Sequence, residues 1–359
     1  MKILVFALSG LGDALMFSPA LKALRAAHPD AQIDLLAMFK GVEELYSRNP
    51  DVSSVHCQDF LKANPLSSLS CVLRLRREHY DVSINVYPSN RWHYNVLSFL
   101  VGAKRRLGHD YGRVNFRSLN FLNTDRIAED DRLHNVEENL RLVGMIGGGN
   151  PSQPAPLQVI LTREDTSRAD QWLKENIPEP RPILIGFHAG SSPLKNHIRR
   201  RWAPEKFAAL GARLIERQGA AVLLFGGPEE RDLNDSLNRM MGGRARIVSV
   251  PSLMVSAGVM KKCALFVVND SGLMHVAAGL QIPVVTIFAY TNPNYVHPWK
   301  TPYTLIRRDL DCSPCFYYSP RPARCIWKED QFRCITHIEV EEVLAAAENM
   351  LRNQPDVRR

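Results

Sequence analysis

Short uninterrupted runs of hydrophobic residues alternate along this chain with longer segments that have a helical period. Such runs are typical of strands in a parallel sheet that is buried on both faces. In the first half of the chain they predict strands at residues 2–8, 32–37 and 81–86, with a helix after the first strand. Pro19 interrupts that helix, so either Ser18 caps a helix that begins at Pro19 or the helix kinks there.

The same pattern restarts after a segment rich in residues that break helices and strands. Residues 147–156 are Gly-Gly-Gly-Asn-Pro-Ser-Gln-Pro-Ala-Pro, which predicts a linker. Beyond it, the predicted strands are residues 182–187, 220–225, 264–268 and 283–288, and the predicted helices are residues 204–218 and segments near Glu229 and Ser252. Thr336 and Glu339 form a predicted capping box that opens a final amphipathic helix.

This alternation of strands and helices predicts an α/β fold class with two doubly wound halves. The length of 359 residues suits two domains. We expect a first domain at residues 1–150, a second at 157–335, and a C-terminal helix at 336–359 that could pack back on the N-terminal domain. Two doubly wound halves favour a ligand held in the crevice between them.

Composition and charge narrow the classes of partner. Hydrophobic residues make up 45% of the chain and charged residues 23%, as in a soluble globular protein, and no apolar run approaches the roughly 18–20 residues of a membrane span. The formal net charge of +8 favours anionic partners, such as an acidic membrane surface or a phosphorylated substrate. Nucleic acid is not an expected partner, because the sequence has no zinc-finger, RNA-recognition or helix-turn-helix pattern.

The first candidate site is the turn Ser-Gly-Leu-Gly-Asp at residues 9–13, directly after the first strand. Gly10 and Gly12 allow a tight turn and a close approach of the backbone to a ligand. Leu15 stands where a dinucleotide-binding fingerprint would have its third glycine. Asp13 places a carboxylate at the end of a strand and the start of a helix, where it is either functional or a helix cap.

The second candidate site is the turn Asn-Asp-Ser-Gly-Leu-Met-His at residues 269–275. Asp270 and Ser271 are suitable N-cap residues, and Gly272 opens the helix N-terminus to a ligand. The backbone N–H groups and the helix dipole at such a terminus suit a diphosphate. His275 is either a ligand of that group or a buried core histidine.

Two further turns follow strands of the second half. Hydroxyls at Ser191 and Ser192 precede the basic residues Arg200 and Arg201, whose guanidinium groups match phosphate oxygens, although a solvated basic loop is the alternative. The turn Gly-Gly-Pro-Glu-Glu at residues 226–230 ends on Glu230, a carboxylate able to accept hydrogen bonds from ribose hydroxyls.

The order of these motifs resembles the heptosyltransferases of glycosyltransferase family 9, and the resemblance covers nearly the whole chain. It is carried by Gly-Leu-Gly-Asp-Ala-Leu at 10–15, Ser-Pro-Ala-Leu at 18–21, His-x-Val-Glu-x-Asn-Leu-Arg at 134–141, Arg-Arg-Trp-x-Pro at 200–204, Gly-Gly-Pro-x-Glu at 226–230 and Asn-Asp-Ser-Gly-x-Met-His at 269–275. The resemblance implies a GT-B architecture of two facing Rossmann-like domains with a closing C-terminal helix. The acceptor is then expected on the N-terminal domain and the donor on the C-terminal one.

The resemblance also implies the reaction and its partners. We expect an inverting transfer, with no cofactor required for catalysis, of a heptose or related sugar from a nucleotide-diphosphate donor, ADP-heptose, to a lipopolysaccharide core or similar lipid-linked acceptor. The protein is then expected in the cytoplasm, peripheral on the inner membrane face and in contact with an anionic membrane surface. A nucleotide-sugar epimerase of the same fold and a non-catalytic saccharide-binding relative are the alternatives.

Carried over position by position, Asp13 matches the general base that takes the proton of the acceptor hydroxyl. Arg200 matches a cation that neutralises charge on the leaving group, although the loop before it is long enough for Lys195 to replace it. Glu230 matches a ribose-binding carboxylate, and Leu253 matches a residue that lines the adenine pocket. The other donor-binding positions implied are Ser191, Ser192, Arg201, Asp270, Ser271, Gly272 and His275.

Two departures from the family pattern leave the substrates open. The family's Gly-Pro-Thr-Asp-Pro is here Ala-Tyr-Thr-Asn-Pro at 289–293, which removes a carboxylate and puts the donor sugar in question. Residues 87–91 are Tyr-Pro-Ser-Asn-Arg in place of an Asp-x-Gln-Gly-like pattern, which puts the acceptor in question.

Four of the seven cysteines fall in one C-terminal segment, at Cys312, Cys315, Cys325 and Cys334. Cys312 and Cys315 have half of a zinc-knuckle spacing, but the second pair does not have the spacing of a standard zinc ribbon. The segment therefore holds either a structural zinc or free thiols. In both cases we expect the four sulfurs to converge near the start of the final helix.

Overall fold

The computed structural model describes residues 1–148, 153–192, 194–316 and 323–354. The chain divides into two compact units, one of Met1–Ile160 with Asn294–Val296 and one of Leu161–Pro293 with His297–Arg359. The first unit thus extends to Ile160 and not to residue 150 as expected. Residues 149–152 of the predicted linker lie outside the described residues.

The first unit is a parallel six-stranded sheet with flanking helices. Its strands are β1 (Lys2–Ala7), β2 (Gln32–Ala37), β3 (Ser54–Cys57), β4 (Val82–Asn85), β5 (Arg105–Asp110) and β6 (Asp125–Ala128). Its helices are α1 (Leu11–Met16), α2 (Ser18–Ala27), α3 (Lys40–Tyr46), α4 (Pro65–Arg77), α5 (Trp92–Val101) and α6 (Asn135–Gly144), with 3₁₀ turns at Gly112–Val114 and Asn120–Leu122. The strand order is β3-β2-β1-β4-β5-β6, so β1 lies inside the sheet and its carboxyl end carries the first candidate turn.

The break between α1 and α2 lies at the proline that interrupts the helical pattern. Phe17 is the N-cap of α2, and Pro19 occupies one of its first two positions, where its missing N–H costs nothing. The Ser18 hydroxyl donates to the Leu15 carbonyl at 2.7 Å, so it does not act as the cap. Two short helices therefore replace one, and α1 is only six residues long.

The second unit repeats the same architecture. Its strands are β7 (Leu184–His188), β8 (Ala221–Leu224), β9 (Arg246–Ile247), β10 (Leu265–Asn269), β11 (Val284–Ile287) and β12 (Tyr303–Ile306), in the order β12-β11-β10-β7-β8-β9. Its helices are α7 (Arg163–Asn176), α8 (Pro204–Gln218), α9 (Arg231–Met240), α10 (Leu253–Met260), α11 (Gly272–Gly279), α13 (Arg333–Thr336) and α14 (Val340–Arg352), with 3₁₀ turns at Leu194–Arg200 and Pro228–Glu230. The short helix α12 (Pro293–Val296) belongs, except for Pro293, to the first unit. Two parallel six-stranded sheets confirm the predicted α/β class.

The C-terminal helix α14 belongs to the second unit. Its apolar side chains, including Val343 and Leu344, are buried in the hydrophobic core of that unit, and its packing back on the N-terminal domain stays a prediction. The predicted capping box is wrong, because Glu339 is the N-cap and pairs with Glu342. Thr336 instead ends the separate helix α13.

Helix α6 anchors the first unit through a buried charged cluster. His109 on β5 and Glu138 on α6 are both fully buried and lie 3.0 Å apart, from Nε2 to Oε2. The same carboxylate accepts hydrogen bonds from the Asp130 N–H at 2.6 Å and from Arg141 at 2.8 Å. The motif at residues 134–141 is thus part of the scaffold, and its His134 caps the helix.

None of the helices described combines the length and the apolar character that crossing a membrane would require.

We predict that Glu138→Ala lowers the free energy of unfolding by about 3 kcal/mol or more, because it leaves buried partners without their carboxylate. Urea unfolding of the purified protein measures the change. Glu137→Ala is the matched control: Glu137 belongs to the capping box of α6, and its loss should cost about 1 kcal/mol. Equal losses from the two variants would contradict a special role for the buried cluster.

Candidate functional site

Asp13 lies in the first turn of α1, directly beyond the carboxyl end of β1. The N-cap position is held by Gly10, so Asp13 is not the capping residue that one sequence interpretation allowed. Gly12 is buried, and the Asp13 side chain is only partly covered. A carboxylate at this place can accept the proton of a hydroxyl that comes within hydrogen-bond distance.

The groups around Asp13 come from the loop after β4 and from the start of α5. The Ser9 hydroxyl donates to the Pro88 carbonyl at 3.1 Å. Tyr94 is buried, which raises the pKa of its hydroxyl, while its hydrogen bond with Ser9 lowers that pKa and the nearby Asp13 charge raises it. Ser9, Asp13 and Tyr94 therefore form one polar group at the end of the sheet.

The loop after β4 is held by hydrogen bonds to α6 and to the segments that follow β5 and β6. The Tyr87 N–H donates to the Asn139 Oδ1 at 2.9 Å, and the Tyr87 hydroxyl donates to Glu129 at 2.6 Å. The Ser89 N–H donates to the Tyr111 hydroxyl at 2.7 Å. Residues 87–89, which differ from the family pattern, are thus a fixed part of the first unit and can present a rigid surface to a ligand.

In the second unit, His188 joins two of the predicted turns. It ends β7, its Nε2 lies 2.9 Å from Glu230 Oε2, and its Nδ1 lies 2.9 Å from the Ser271 hydroxyl. Nε2 can donate to the carboxylate, and Nδ1 is within hydrogen-bonding distance of the hydroxyl. The sequence interpretation did not include His188 among the site residues.

Glu230 is a buried carboxylate that stays ionised. Burial opposes the charge, but the charge and hydrogen bond of His188, the Gly227 N–H at 3.2 Å and Arg201 outweigh it and lower the pKa of Glu230. A Cβ at Gly190 would lie 1.6 Å from Glu230 Oε1, so only glycine fits there. Glu230 therefore has a scaffold role, and its contact with a ribose stays a prediction.

Arg200 and Asp270 form a buried ion pair. Arg200 Nη1 donates to Asp270 Oδ2 at 2.7 Å, and only 13% and 6% of the two side chains are exposed. Among the residues that the structure describes, Arg200 Nε is buried and has no hydrogen-bond partner. The structure thus brings together two of the predicted donor-binding residues and leaves one cationic N–H available.

The loop before Arg200 is tied together by Arg201. Its guanidinium donates to the Ser191 hydroxyl at 3.3 Å and to the Ser191 carbonyl, while Ser191 donates to the His197 carbonyl at 2.9 Å. Burial lowers the pKa of Arg201, and the Glu230 charge opposes this effect. Ser192 is exposed. The side chain of Lys195 lies outside the described part of the chain, so the choice between Lys195 and Arg200 stays a prediction.

Helix α11 begins at Gly272 with Ser271 as its N-cap, but the Ser271 side chain pairs with His188 and does not cap the helix. His275 lies one turn further and is buried, which lowers its pKa to about 4 despite the Asp270 charge. Its Nδ1 has no partner among the described residues. A neutral histidine with a free nitrogen and an uncapped helix N-terminus can together bind a polar, anionic group.

Asn269 is a second residue that the sequence interpretation did not select. Its Nδ2 donates to the Ala189 carbonyl at 2.8 Å, and its Oδ1 accepts from the Trp202 N–H at 3.0 Å. It therefore fixes the loop after β7 and the start of α8. Its place in the motif that ends in His275 was the available signal.

Leu253 is the first residue of α10, where Ser252 caps the helix by accepting from the Val255 N–H at 3.2 Å. Leu253 is half-buried, and its contact with an adenine stays a prediction.

The four clustered cysteines line one small cavity, together with Tyr290 and Phe332. The side chains of Cys312, Cys315, Cys325 and Cys334 thus lie around the same cavity, beside α13, and the convergence of their sulfurs stays a prediction. Burial raises the pKa of the Cys334 thiol to about 11. As the side chains stand, no group of three or more His, Cys, Asp or Glu residues in the described ranges is arranged to hold a metal ion.

The chain is similar to several proteins named as heptosyltransferases. Lipopolysaccharide heptosyltransferase 3 of Escherichia coli K12 is 24% identical over 355 residues, which is 95% of each chain. Lipopolysaccharide heptosyltransferase 2 of the same strain is 28% identical over 322 residues, 86% of this chain and 88% of that protein. The solved structure of E. coli ADP-heptose lps heptosyltransferase II matches with a TM-score of 0.75 at 22% identity, over 98% of this chain and 99% of that one, which confirms the GT-B fold.

The model of glycosyltransferase family 9 (heptosyltransferase) matches residues 69–323, well over half of the chain. This enzyme therefore belongs to glycosyltransferase family 9, the heptosyltransferase family.

Proposed function

We propose that this enzyme is an inverting heptosyltransferase that moves a heptose from ADP-heptose to a lipopolysaccharide core or similar lipid-linked saccharide. The observation that carries the proposal is the Asp13 carboxylate, placed beyond the carboxyl end of β1 in a chain that belongs to the heptosyltransferase family. The relatives named for lipopolysaccharide and ADP-heptose support the choice of donor and acceptor.

Asp13 acts as the general base in this proposal. It takes the proton of the acceptor hydroxyl while that oxygen forms a bond to the anomeric carbon of the donor and the bond to the diphosphate breaks. A single displacement of this kind inverts the anomeric configuration. ADP leaves with the electron pair of the broken bond.

The second unit binds the donor. The Arg200–Asp270 pair, the unpartnered Arg200 Nε and the N-terminus of α11 can together accept the diphosphate, because each offers positive charge or N–H donors. His275 remains neutral above pH about 4 and can bond to a sugar or phosphate oxygen. The reaction as proposed requires no cofactor, since the cation at the leaving group belongs to the protein.

The departure at residues 289–293 lies at the end of β11. Thr291 is buried, and its hydroxyl has no hydrogen-bond partner in the part of the chain that the structure describes. This hydroxyl can bond to a hydroxyl of the donor sugar at a turn where the family has a carboxylate nearby. We retain heptose, or a closely related sugar, as the donor sugar.

The acceptor implies a location. A lipid-linked saccharide is held in a membrane, and a net charge of +8 favours an anionic membrane surface. We therefore place the enzyme in the cytoplasm, peripheral on the inner membrane face.

We predict that Asp13→Asn lowers the transfer rate by about 10²–10⁴-fold, because an amide cannot accept the proton. ADP affinity should stay within a few fold, since the amide keeps the shape of the side chain. Glu164→Gln, which makes the same change in the first turn of α7, is the control and should leave transfer unaltered. The assay follows ADP release from ADP-heptose with a delipidated core saccharide, and NMR of the product reads its anomeric configuration.

A near-normal transfer rate of Asp13→Asn would contradict the role of Asp13 as the general base. Incubation of the sugar nucleotide without acceptor tests the epimerase alternative, for which an isomerised nucleotide sugar would appear. Absence of turnover in the wild type with both substrates would favour the non-catalytic alternative.

We predict that Arg200→Ala weakens ADP binding by about 1.5–3 kcal/mol, a loss of roughly ten- to 150-fold, while adenosine binding barely changes. Removal of the guanidinium also leaves Asp270 unpaired, so Arg200→Ala/Asp270→Asn should recover part of the affinity. Arg199→Ala is the control, because that guanidinium lies over the Phe332 ring at 5.8 Å. Calorimetry measures ADP and adenosine binding by the wild type and these three variants. If Lys195→Ala, and not Arg200→Ala, weakened ADP binding alone, Lys195 would be the phosphate ligand.

We also propose that the four clustered cysteines have a structural role, as a zinc site or as free thiols, although in the described ranges no group of three or more His, Cys, Asp or Glu residues is arranged to hold a metal ion. If zinc is bound, metal analysis of the purified protein should give one zinc per chain, which Cys334→Ser should lose and Cys263→Ser, at a buried cysteine outside the cluster, should retain. Because zinc must displace thiol protons and burial raises the pKa of Cys334, zinc retention should fall as the pH is lowered. Zinc-free protein whose four thiols all react with a thiol reagent would contradict the metal.

A further inference from the structure

Helix α4 has an apolar face that the protein leaves uncovered. Leu66, Leu69 and Leu73 are 78%, 53% and 44% exposed, and their spacing of three and four residues places them on one side of the helix. The other side of α4 is buried through Val72 and Leu75. A helix with one apolar side in the core and another in contact with water has a surface available for a partner.

The neighbouring elements extend this surface. Phe99 and Leu100, at the end of α5, are 47% and 42% exposed, and Arg76 on α4 donates to the Leu100 carbonyl at 2.8 Å. We call Leu66, Leu69, Leu73, Phe99 and Leu100 the α4–α5 surface. The 3₁₀ turn at Asn120–Leu122 packs on α5 and adds the exposed ring of Phe121.

The charges on this surface are predominantly positive. Arg74 and Arg77 are exposed on α4, among the leucines. The Arg106 guanidinium lies 5.6 Å from the centre of the Phe99 ring. The acidic residue that follows α4, Glu78, is paired with Lys2 at 3.1 Å. Exposed leucine and phenylalanine interleaved with arginine is the composition of a helix surface that lies on anionic lipid.

The α4–α5 surface is connected to the candidate acceptor turn through α5. Tyr94, near the start of that helix, is hydrogen-bonded to Ser9 and lies within the electrostatic influence of Asp13. Helix α5 has ten residues, which span about 15 Å at 1.5 Å per residue. A lipid held at the end of α5 would thus leave a short saccharide within reach of Asp13.

We propose that the α4–α5 surface docks on an anionic lipid bilayer and so presents lipid-linked acceptors to the turn that carries Asp13. This inference rests on the proposed function for the lipid-linked acceptor. A second copy of the chain is a poorer occupant, because a two-fold interface through this surface would bring Arg74 and Arg77 of one copy towards the same residues of the other. Phosphatidylglycerol supplies apolar chains that can contact the exposed leucines and a negative charge that can pair with the arginines.

The test compares wild-type protein with Leu66→Ser/Leu69→Ser/Leu73→Ser in sedimentation with phosphatidylglycerol and phosphatidylcholine vesicles. The wild type should bind the anionic vesicles, and the triple variant should bind them at least about tenfold more weakly. Arg74→Gln/Arg77→Gln should also weaken binding and reduce its salt dependence, because exposed charges are screened by salt. Met240→Ser, at a 43% exposed side chain of the second unit, is the control and should bind as the wild type does.

Transfer assays separate this inference from the proposed function. With a delipidated, water-soluble acceptor the triple variant should turn over at the wild-type rate, whereas with the acceptor in vesicles its rate should fall in proportion to its binding. Failure of the wild type with both acceptors would reject the proposed function alone. The docking surface would be overturned if the triple variant bound anionic vesicles as tightly as the wild type does. It would also be overturned if the wild type bound no vesicles but formed a dimer that the triple substitution abolished.

Discussion

A carboxylate buried as deeply as that of Glu230 remains charged only if other groups replace the water that it has lost. Here the replacements are His188 at the end of β7, the Gly227 N–H in the turn of Glu230 itself, and Arg201 before α8. They come from the segment that joins β7 to α8 and from the turn after β8. Satisfying one buried charge therefore fixes these two segments relative to each other, and Gly190 lets the loop after β7 pass close to the carboxylate.

The same contacts explain why the turns at the edge of the second sheet can be rigid before any ligand binds. Ser271 is held by His188, so the N-terminus of α11 is positioned without being capped by its own serine. Asp270 is held by Arg200, and Asn269 holds the loop that leads to Arg200. Three consecutive residues thus hold the segment at residues 188–202, and preorganised groups of this kind stabilise developing charge without rearranging during a reaction.

The strands and the turns after them could be predicted from the sequence because buried parallel strands are continuous apolar runs. The position of Asp13 beyond β1 follows from that pattern alone. The pairing of His188 with Glu230 could not be predicted, because it depends on β7 and β8 being neighbours in the sheet. The prediction that Thr336 caps the final helix was wrong for a local reason. Glu339 and Glu342 form a capping box three residues later, and the final helix begins there.

The two units also differ in what they expose. Among the side chains that the structure describes, fifteen large hydrophobic ones are exposed, ten in the first unit and five in the second, so the described apolar surface is concentrated on the unit that carries Asp13. Most of those ten lie on α4, α5 and the segments beside them, elements that are attached to the sheet by well-buried inner faces such as that of Leu75. Exposed apolar side chains gain nothing from the fold of an isolated chain. These side chains lie on firmly packed helices, beside arginines and one helix away from the Asp13 carboxylate. This arrangement is most simply explained if the substrate of that carboxylate arrives at an apolar, anionic surface.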